Sequence, residues 1–514
     1  MEENELKKDE EIDQRVEKLK KWFYKPENIL LTGLLIFSFI ILIYYFNITQ
    51  NQPLWWDEGE YMSTANYWAL GIPYDIHPAR PPLFPFLAAI LIKIGFGLLG
   101  VKFLLELVPA ILSILFIYKL IIEMYNDRKL ALITGFILSV SWIHIFYTMR
   151  MMTDELSFLF GILAILCFWK GYVHDKGKIY IWLVGLFVAL AFLSRLTGVL
   201  YGVFLIIFLL FTDRLKFFKN KNIWIALLIA FLTITPYLIW SYSYFGNAFA
   251  FREGYGGVTE SPLGWWMLKL VFDYPEMGFF ITFLIGIITL LPMFLGLDQL
   301  IFNKEKKYYA DFFNLLIILF TLGFFIYFLR DGENRWLMMM SIGIFTISAK
   351  GILSLYKLSR KKTGKILSVL ILMLLLFFGA FYEIRHADII INFKKDSYLP
   401  VKEAALWMKD NSNYSDVIIS TSKTQMPYYA ERKVIAPYNY EESREYTQEE
   451  FSAVFQKYKP KYYVVSIFET YFPPWTYTYP QNKSNFVPVK AWFADQEKQQ
   501  PILIIYEINY SDNS

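Results

Sequence analysis

The sequence predicts a polytopic α-helical membrane protein of about eleven spans, followed by a small α/β domain outside the membrane. Three observations carry this. Apolar runs of membrane length recur from residue 28 to residue 382, and runs of about 18 or more apolar residues can cross a bilayer. Lys and Arg gather in alternate loops. From residue 383 the long runs give way to short amphipathic and β-rich segments. The composition agrees, with 56% hydrophobic and 19% aromatic residues and a mean hydropathy of +0.36.

In chain order, residues 1–27 are charged and lack a signal-peptide pattern, so they read as a cytoplasmic tail before a signal-anchor helix. The transmembrane region is 28–382, with spans near 28–46, 104–124, 129–147, 155–173, 179–193, 196–212, 222–244, 277–297, 309–329, 336–352 and 365–382. A twelfth apolar stretch, 83–100, carries Lys93 and follows the Pro81-Pro82 corner, so it reads as interfacial or re-entrant. The positive-inside rule supports this. With eleven spans, the inside loops hold 16 Lys and Arg, with seven more in the tail, against seven in the outside loops. A spanning 83–100 would reverse that bias. The expected location is the plasma membrane, with the N-terminus cytoplasmic and the C-terminal domain extracytoplasmic.

That domain, 383–514, shows a helix at 401–411, strands at 416–420, 462–468 and 502–507, and a helix at 448–458. The Pro- and aromatic-rich segment 469–480 is either an exposed flap or packed. The single cysteine, Cys167, lies in an apolar run, which leaves no disulfide framework and no Cys-based metal site. A net charge of +4 gives no reason to expect nucleic acid.

Unusual residues collect in the outside loops. Trp55-Trp56-Asp57-Glu58-Gly59-Glu60-Tyr61 crowds three carboxylates just beyond the first span, and His77-Pro78-Ala79-Arg80-Pro81-Pro82-Leu83 follows with one guanidinium. Acids beside a proline-stiffened Arg suit a basic carboxylate next to a phosphate-binding cation. The next loop ends in Thr153-Asp154-Glu155, and Arg195 interrupts what would otherwise be 34 apolar residues, a costly place for an unpaired guanidinium. Loop 245–276 carries Arg252 and Tyr255, and the last loop carries Arg335-Trp336. The four histidines are scattered. A divalent metal is conceivable near Asp57 and His77 but not favoured, so no cofactor is expected.

Asp57-Glu58, Arg80-Pro81-Pro82-Leu83, Thr153-Asp154 and Arg335-Trp336, in that order, resemble the GT-C superfamily of lipid-phosphate-sugar-dependent glycosyltransferases, on the side of the protein O-mannosyltransferases and bacterial aminoarabinose transferases. The resemblance covers roughly residues 28–350. It implies that Asp57 is the catalytic base, that Asp154 supports the site, and that Arg80 and Arg335 bind the donor phosphate. Arg195 is a further candidate for that phosphate, Glu58 an alternative base, and Glu60, Tyr61, His77, Arg252 and Tyr255 are candidates for acceptor or substrate contact. Met338-Met339-Met340 departs from the prolines usual after the late Arg, and loop 245–276 is too short for the large insert of eukaryote-type protein O-mannosyltransferases. The expected activity is inverting transfer of one sugar from a dolichyl or undecaprenyl phosphate donor to the hydroxyl of a glycan, lipid or protein acceptor at the outer face. The rival class is a transporter or flippase of lipid-linked sugars. Its broken, charged helices near the midplane are not the pattern here, where charge collects at span ends.

Overall fold

The computed structural model describes residues 25–255, 262–269, 276–302, 304–439, 444–469, 473–481, 483–494 and 499–510, with Glu17 and Glu497. Its contacts divide the chain into two units. The first comprises Met1–Ile48, Glu106–Met149 and Thr153–Ile389; the second comprises Thr49–Leu105, Arg150–Met152 and Ile390–Ser514.

Among the described residues, eight helices are long and apolar enough to cross a membrane: Asn28–Ile48, Leu98–Tyr125, Asp154–Val173, Lys221–Phe245, Gly278–Leu295, Lys306–Leu329, Asn334–Thr363 and Lys365–Lys394. A ninth is the pair Arg128–Val140 and Trp142–Thr148, bent by 53°. The bend falls at a break in the helix. A break at Ser141 exposes the Trp142 amide, and the buried Glu383 carboxylate accepts its N–H at 3.1 Å. The expected spans at 179–193 and 196–212 are the shorter apolar helices Lys178–Ser194 and Leu196–Thr212. Leu83–Lys93 has 11 residues, far short of the ~20 that cross a bilayer. The last long helix runs past residue 383 to Lys394. Of the tail 1–27, residues 1–16 and 18–24 lie outside the described residues.

The second unit is built on a five-stranded sheet. Its strands are β1 (Val417–Ser420), β2 (Lys433–Ile435), β5 (Tyr462–Ser466), β6 (Phe486–Phe493) and β7 (Pro501–Ile508), while β3 (Tyr438–Asn439) and β4 (Arg444–Glu445) form a separate ribbon. The sheet order is β2-β1-β5-β7-β6. β1 runs parallel to both neighbours, with Ile418 opposite Val434 and Tyr462, and β7 runs antiparallel to β5 and β6. A strand buried on both faces should be continuously apolar, and Val417-Ile418-Ile419 is. The helix Trp56–Leu70 shares this core: Met62 and Ala65 are fully buried with Phe84, Val401, Met408, Ile418, Met426 and Ile505. A buried side chain of that size stabilises by about 1.5–3 kcal/mol, so the stretch after the first span is anchored to the sheet by packing. In the segment 469–480, Trp475 and Tyr479 pack on Phe451, and Tyr463 donates its hydroxyl to Thr476 O at 2.6 Å. Packing is therefore the role of those rings; residues 470–472 lie outside the described residues.

Candidate active site

In the second unit the site is organised by the first turn of Trp56–Leu70. Side chains three apart lie on one face of a helix and adjacent ones do not. Asp57 and Glu60 accordingly both reach Arg80, while Glu58 turns elsewhere. Arg80 Nη2 stands 2.8 Å from Asp57 Oδ1, and its Nε donates to Glu60 Oε2. Asp57 and Arg80 are partly open, at 17% and 27% exposure, whereas Glu60 is buried. The guanidinium also lies 5.8 Å from the Tyr61 ring centroid. Burial disfavours the Arg80 charge, but Glu60 and then Asp57 outweigh it, and the guanidinium is held more firmly protonated than usual.

Arg80 is placed by a turn in which its N–H donates to His77 O at 3.2 Å. His77 Nδ1 accepts the Ala79 N–H at 3.2 Å, so that ring nitrogen is committed to shaping the turn. The helix itself ends where Gly71 takes a left-handed φ of 73° and donates to Tyr67 O at 3.0 Å.

Glu58 is fully used by the fold. Its carboxylate accepts the Trp55 N–H at 2.6 Å, Arg150 Nη2 at 2.6 Å and the Met151 N–H at 2.8 Å, with both side chains of the ion pair buried. Arg150 also donates to Gln52 Oε1 at 3.0 Å and Pro53 O at 3.3 Å, and lies 3.8 Å over the Trp55 ring. This carboxylate caps the helix and ties residues 150–152 to it.

A second cluster lies within the first unit. Asp154 opens the helix Asp154–Phe168 and pairs with Arg195 through Nη1. Arg335 Nη1 stands 3.9 Å from the other oxygen of Asp154, and Arg335 Nε donates to Glu333 at 2.8 Å. Arg195 is held in an extended break between two helices, bonded to Thr197 Oγ1 at 3.1 Å and 5.7 Å from the Trp336 ring. A small pocket opens among Asp154, Arg195, Arg335, Tyr201 and Trp336. Next to Asp154, Glu155 accepts Ser113 Oγ at 2.7 Å and meets His144 Nδ1 at 3.1 Å, so His144 has a buried carboxylate partner. Arg252 is exposed against Phe249, and the Tyr255 side chain lies outside the described residues. Among the described residues, no group of three or more His, Cys, Asp or Glu is placed to hold a metal ion.

A family model described as dolichyl-phosphate-mannose-protein mannosyltransferase matches residues 79–240, a stretch that contains Arg80, Asp154 and Arg195. No curated protein matches in sequence. Solved structures match over most of the chain. The oligosaccharyltransferase AglB from Archaeoglobus fulgidus, in complex with an inhibitory peptide and a dolichol-phosphate, is 13% identical with a TM-score of 0.62, covering 96% of this chain and 75% of its own. ArnT from Cupriavidus metallidurans bound to undecaprenyl phosphate is 11% identical with a TM-score of 0.65, covering 92% and 98%. The chain has the GT-C glycosyltransferase fold. Arabinofuranosyltransferase AftD from Mycobacteria extends the likeness, at 12% identity and a TM-score of 0.56, covering 94% of this chain and 40% of its own.

Two charged groups of the second unit, Arg150 beside Glu58 and Lys423 beside Glu60, are not marked as site residues by the sequence. Arg150 was legible only as a loop residue. Lys423 follows β1 in Ser420-Thr421-Ser422-Lys423-Thr424-Gln425, and its buried ammonium interacts electrostatically with Glu60, Asp75 and Arg80. A polar loop at the C-terminal end of a parallel strand is a recurrent ligand position, and that is the signal which points to it.

Proposed function

We propose that the protein is an inverting glycosyltransferase that moves one sugar from a polyprenyl phosphate carrier to an acceptor hydroxyl. The observation that carries this reading is the shared guanidinium: Arg80 contacts Asp57 at 2.8 Å while Glu60 holds its other edge. An incoming phosphate can take the Asp57 edge of Arg80 without leaving Glu60 buried and unpaired. Asp57 is then a carboxylate released beside the reacting sugar. It takes the proton of the acceptor hydroxyl as the oxygen attacks the anomeric carbon, the bond from that carbon to the phosphate oxygen breaks, and the electron pair leaves on polyprenyl phosphate. A single displacement inverts the anomeric centre. The growing charge on the phosphate is met by a fixed guanidinium. We assign no metal to the step, because Arg80 already supplies the cation. The likeness to an ArnT bound to undecaprenyl phosphate and an AglB bound to dolichol-phosphate supports such a carrier here. In the first unit we assign Arg195 and Arg335 to anion binding in the Asp154 pocket; in the second, we assign Glu58 to positioning.

The test is to incubate purified protein with undecaprenyl- and dolichyl-phosphate sugars and follow released polyprenyl phosphate; no release from any donor sinks the reading. Arg80→Gln weakens donor affinity by about 1.5–3 kcal/mol, the worth of a charge-assisted hydrogen bond, and Arg80→Lys restores part of it. Unchanged affinity in Arg80→Gln overturns the phosphate assignment.

We further propose that the N-terminus and the loop at 357–365 are cytoplasmic and that residues 47–82 and the sheet of the second unit are outside, from the Lys and Arg distribution. In a Cys167→Ser background, Leu70→Cys and Glu450→Cys are labelled by an impermeant thiol reagent on intact cells. Arg360→Cys is labelled only after permeabilisation; labelling of 360 but not 70 on intact cells inverts the topology.

A further inference from the structure

The loop that follows β1 is pressed against the Asp57 helix. A Cβ on Gly59 would stand 2.8 Å from Thr424 C and O and 2.9 Å from Gln425 N, so the two backbones touch where only glycine fits. Ser63 Oγ donates to Thr424 O at 2.9 Å. From behind, the buried Glu469 carboxylate accepts Ser422 Oγ at 2.7 Å and Ser466 Oγ at 3.4 Å, which fixes the loop to the end of β5. Lys423 lies between these two anchors, 8% exposed, where it feels the charges of Glu60, Asp75 and Arg80.

We propose that Lys423 is a second cation of the phosphate site, brought to the Asp57–Arg80 cluster by this loop to engage the polyprenyl phosphate that leaves on transfer. The inference rests on the glycosyltransferase reading above and adds a residue to it. Three features support it. The loop is immobilised on both sides, as a group that positions a charge must be. Burying a lysine is costly, and a counter-ion for Glu60 already exists in Arg80. The leaving group gains negative charge during the step, and Arg80 and Lys423 supply complementary recognition: a planar fork and a compact point charge.

The electrostatics fit a charge that responds to its ligand. Burial pulls the Lys423 ammonium down to about 8, opposed by Glu60 and Asp75 and reinforced by Arg80. A phosphate anion beside it favours the protonated form. Because binding needs the protonated amine, affinity for polyprenyl phosphate declines as pH rises through and above about 8. Two other groups titrate lower: burial raises Glu469 to about 7, and a phosphate monoester loses its second proton near about 6. The fall above pH 8 therefore reports the lysine.

The experiment measures affinity of the full-length protein in detergent for undecaprenyl phosphate between pH 7 and pH 10, for wild type, Lys423→Gln, Lys423→Arg and Arg80→Gln, with melting temperatures alongside. Lys423→Gln is expected to bind about ten- to a hundredfold more weakly at pH 7 and to lose the fall above pH 8. Lys423→Arg, charged throughout, is expected to keep the affinity and lose the pH dependence. If Lys423→Gln binds as tightly as wild type while Arg80→Gln does not, Lys423 is only a counter-ion for Glu60 and Asp75 and the inference is overturned. A change in the acceptor KM of Lys423→Gln with phosphate affinity intact overturns it equally. If wild type itself binds no polyprenyl phosphate, the glycosyltransferase reading fails and the inference with it.

Discussion

Asp57→Asn lowers the rate of sugar transfer by about a hundred- to ten-thousandfold, the usual cost of removing a positioned base. Polyprenyl phosphate affinity and melting temperature stay near those of wild type. The asparagine keeps the shape and can still accept a hydrogen bond from Arg80, but it cannot hold the acceptor proton. Its effect on binding is small for a geometric reason: Arg80 retains Glu60 on its other edge, so the guanidinium remains placed. Donor affinity in Asp57→Asn rises slightly, because the carboxylate that competed with phosphate for Arg80 Nη2 is gone. Glu60→Gln behaves differently. It loosens Arg80 and weakens binding, with a smaller loss of rate at saturating donor. The measurement is single-turnover transfer at saturating donor with parallel binding curves. Transfer near the wild-type rate in Asp57→Asn, with Asp154→Asn inactive, moves the base to the first unit's pocket.

The long helices were legible because hydropathy and length dictate them. The bend at Ser141 was not, since it depends on Glu383, 241 residues away accepting the Trp142 amide. In the α/β region, β1, β5, β7 and two helices announced themselves by period and branched residues. β2 escaped because it has three residues, and β6 because Pro488 and an exposed burial pattern disguise an edge strand with bulges. At the site, the pairing of 57 with 60 follows from helical spacing once residue 56 is known to begin a helix. That Arg80 joins these acids was legible from the two neighbouring clusters and from the resemblance, but its contact with both Asp57 and Glu60 was not. Glu58 and Lys423 show the limit. The carboxylate beside Asp57 has the same chemistry, and only Arg150, 92 residues away, makes it a structural group. Lys423 sits in a Ser/Thr-rich loop whose meaning depends on Gly59 and Ser63 lying against Thr424.

Arg150→Met is expected to damage the fold rather than the chemistry. Arg150 and Glu58 are at 2% and 1% side-chain exposure, 2.6 Å apart, and the carboxylate would be left buried without its cation. Removing one partner of such a pair costs about 3–5 kcal/mol. Burial disfavours the Arg150 charge more than Glu58 restores it, so its guanidinium is held below its ordinary value. The ion pair is thus a close balance that fails when either half is lost. Two backbone amides, Trp55 and Met151, still donate to Glu58 and recover part of the loss. The double variant Glu58→Gln/Arg150→Met removes both charges, keeps an amide to accept from those N–H groups, and is expected to melt above Arg150→Met alone. The check is thermal unfolding in detergent followed by gel filtration, with transfer measured on the surviving monodisperse fraction. That fraction of Arg150→Met transfers at near the wild-type rate. A variant that melts like wild type yet transfers nothing would place Arg150 against the substrate and withdraw the structural role assigned to Glu58.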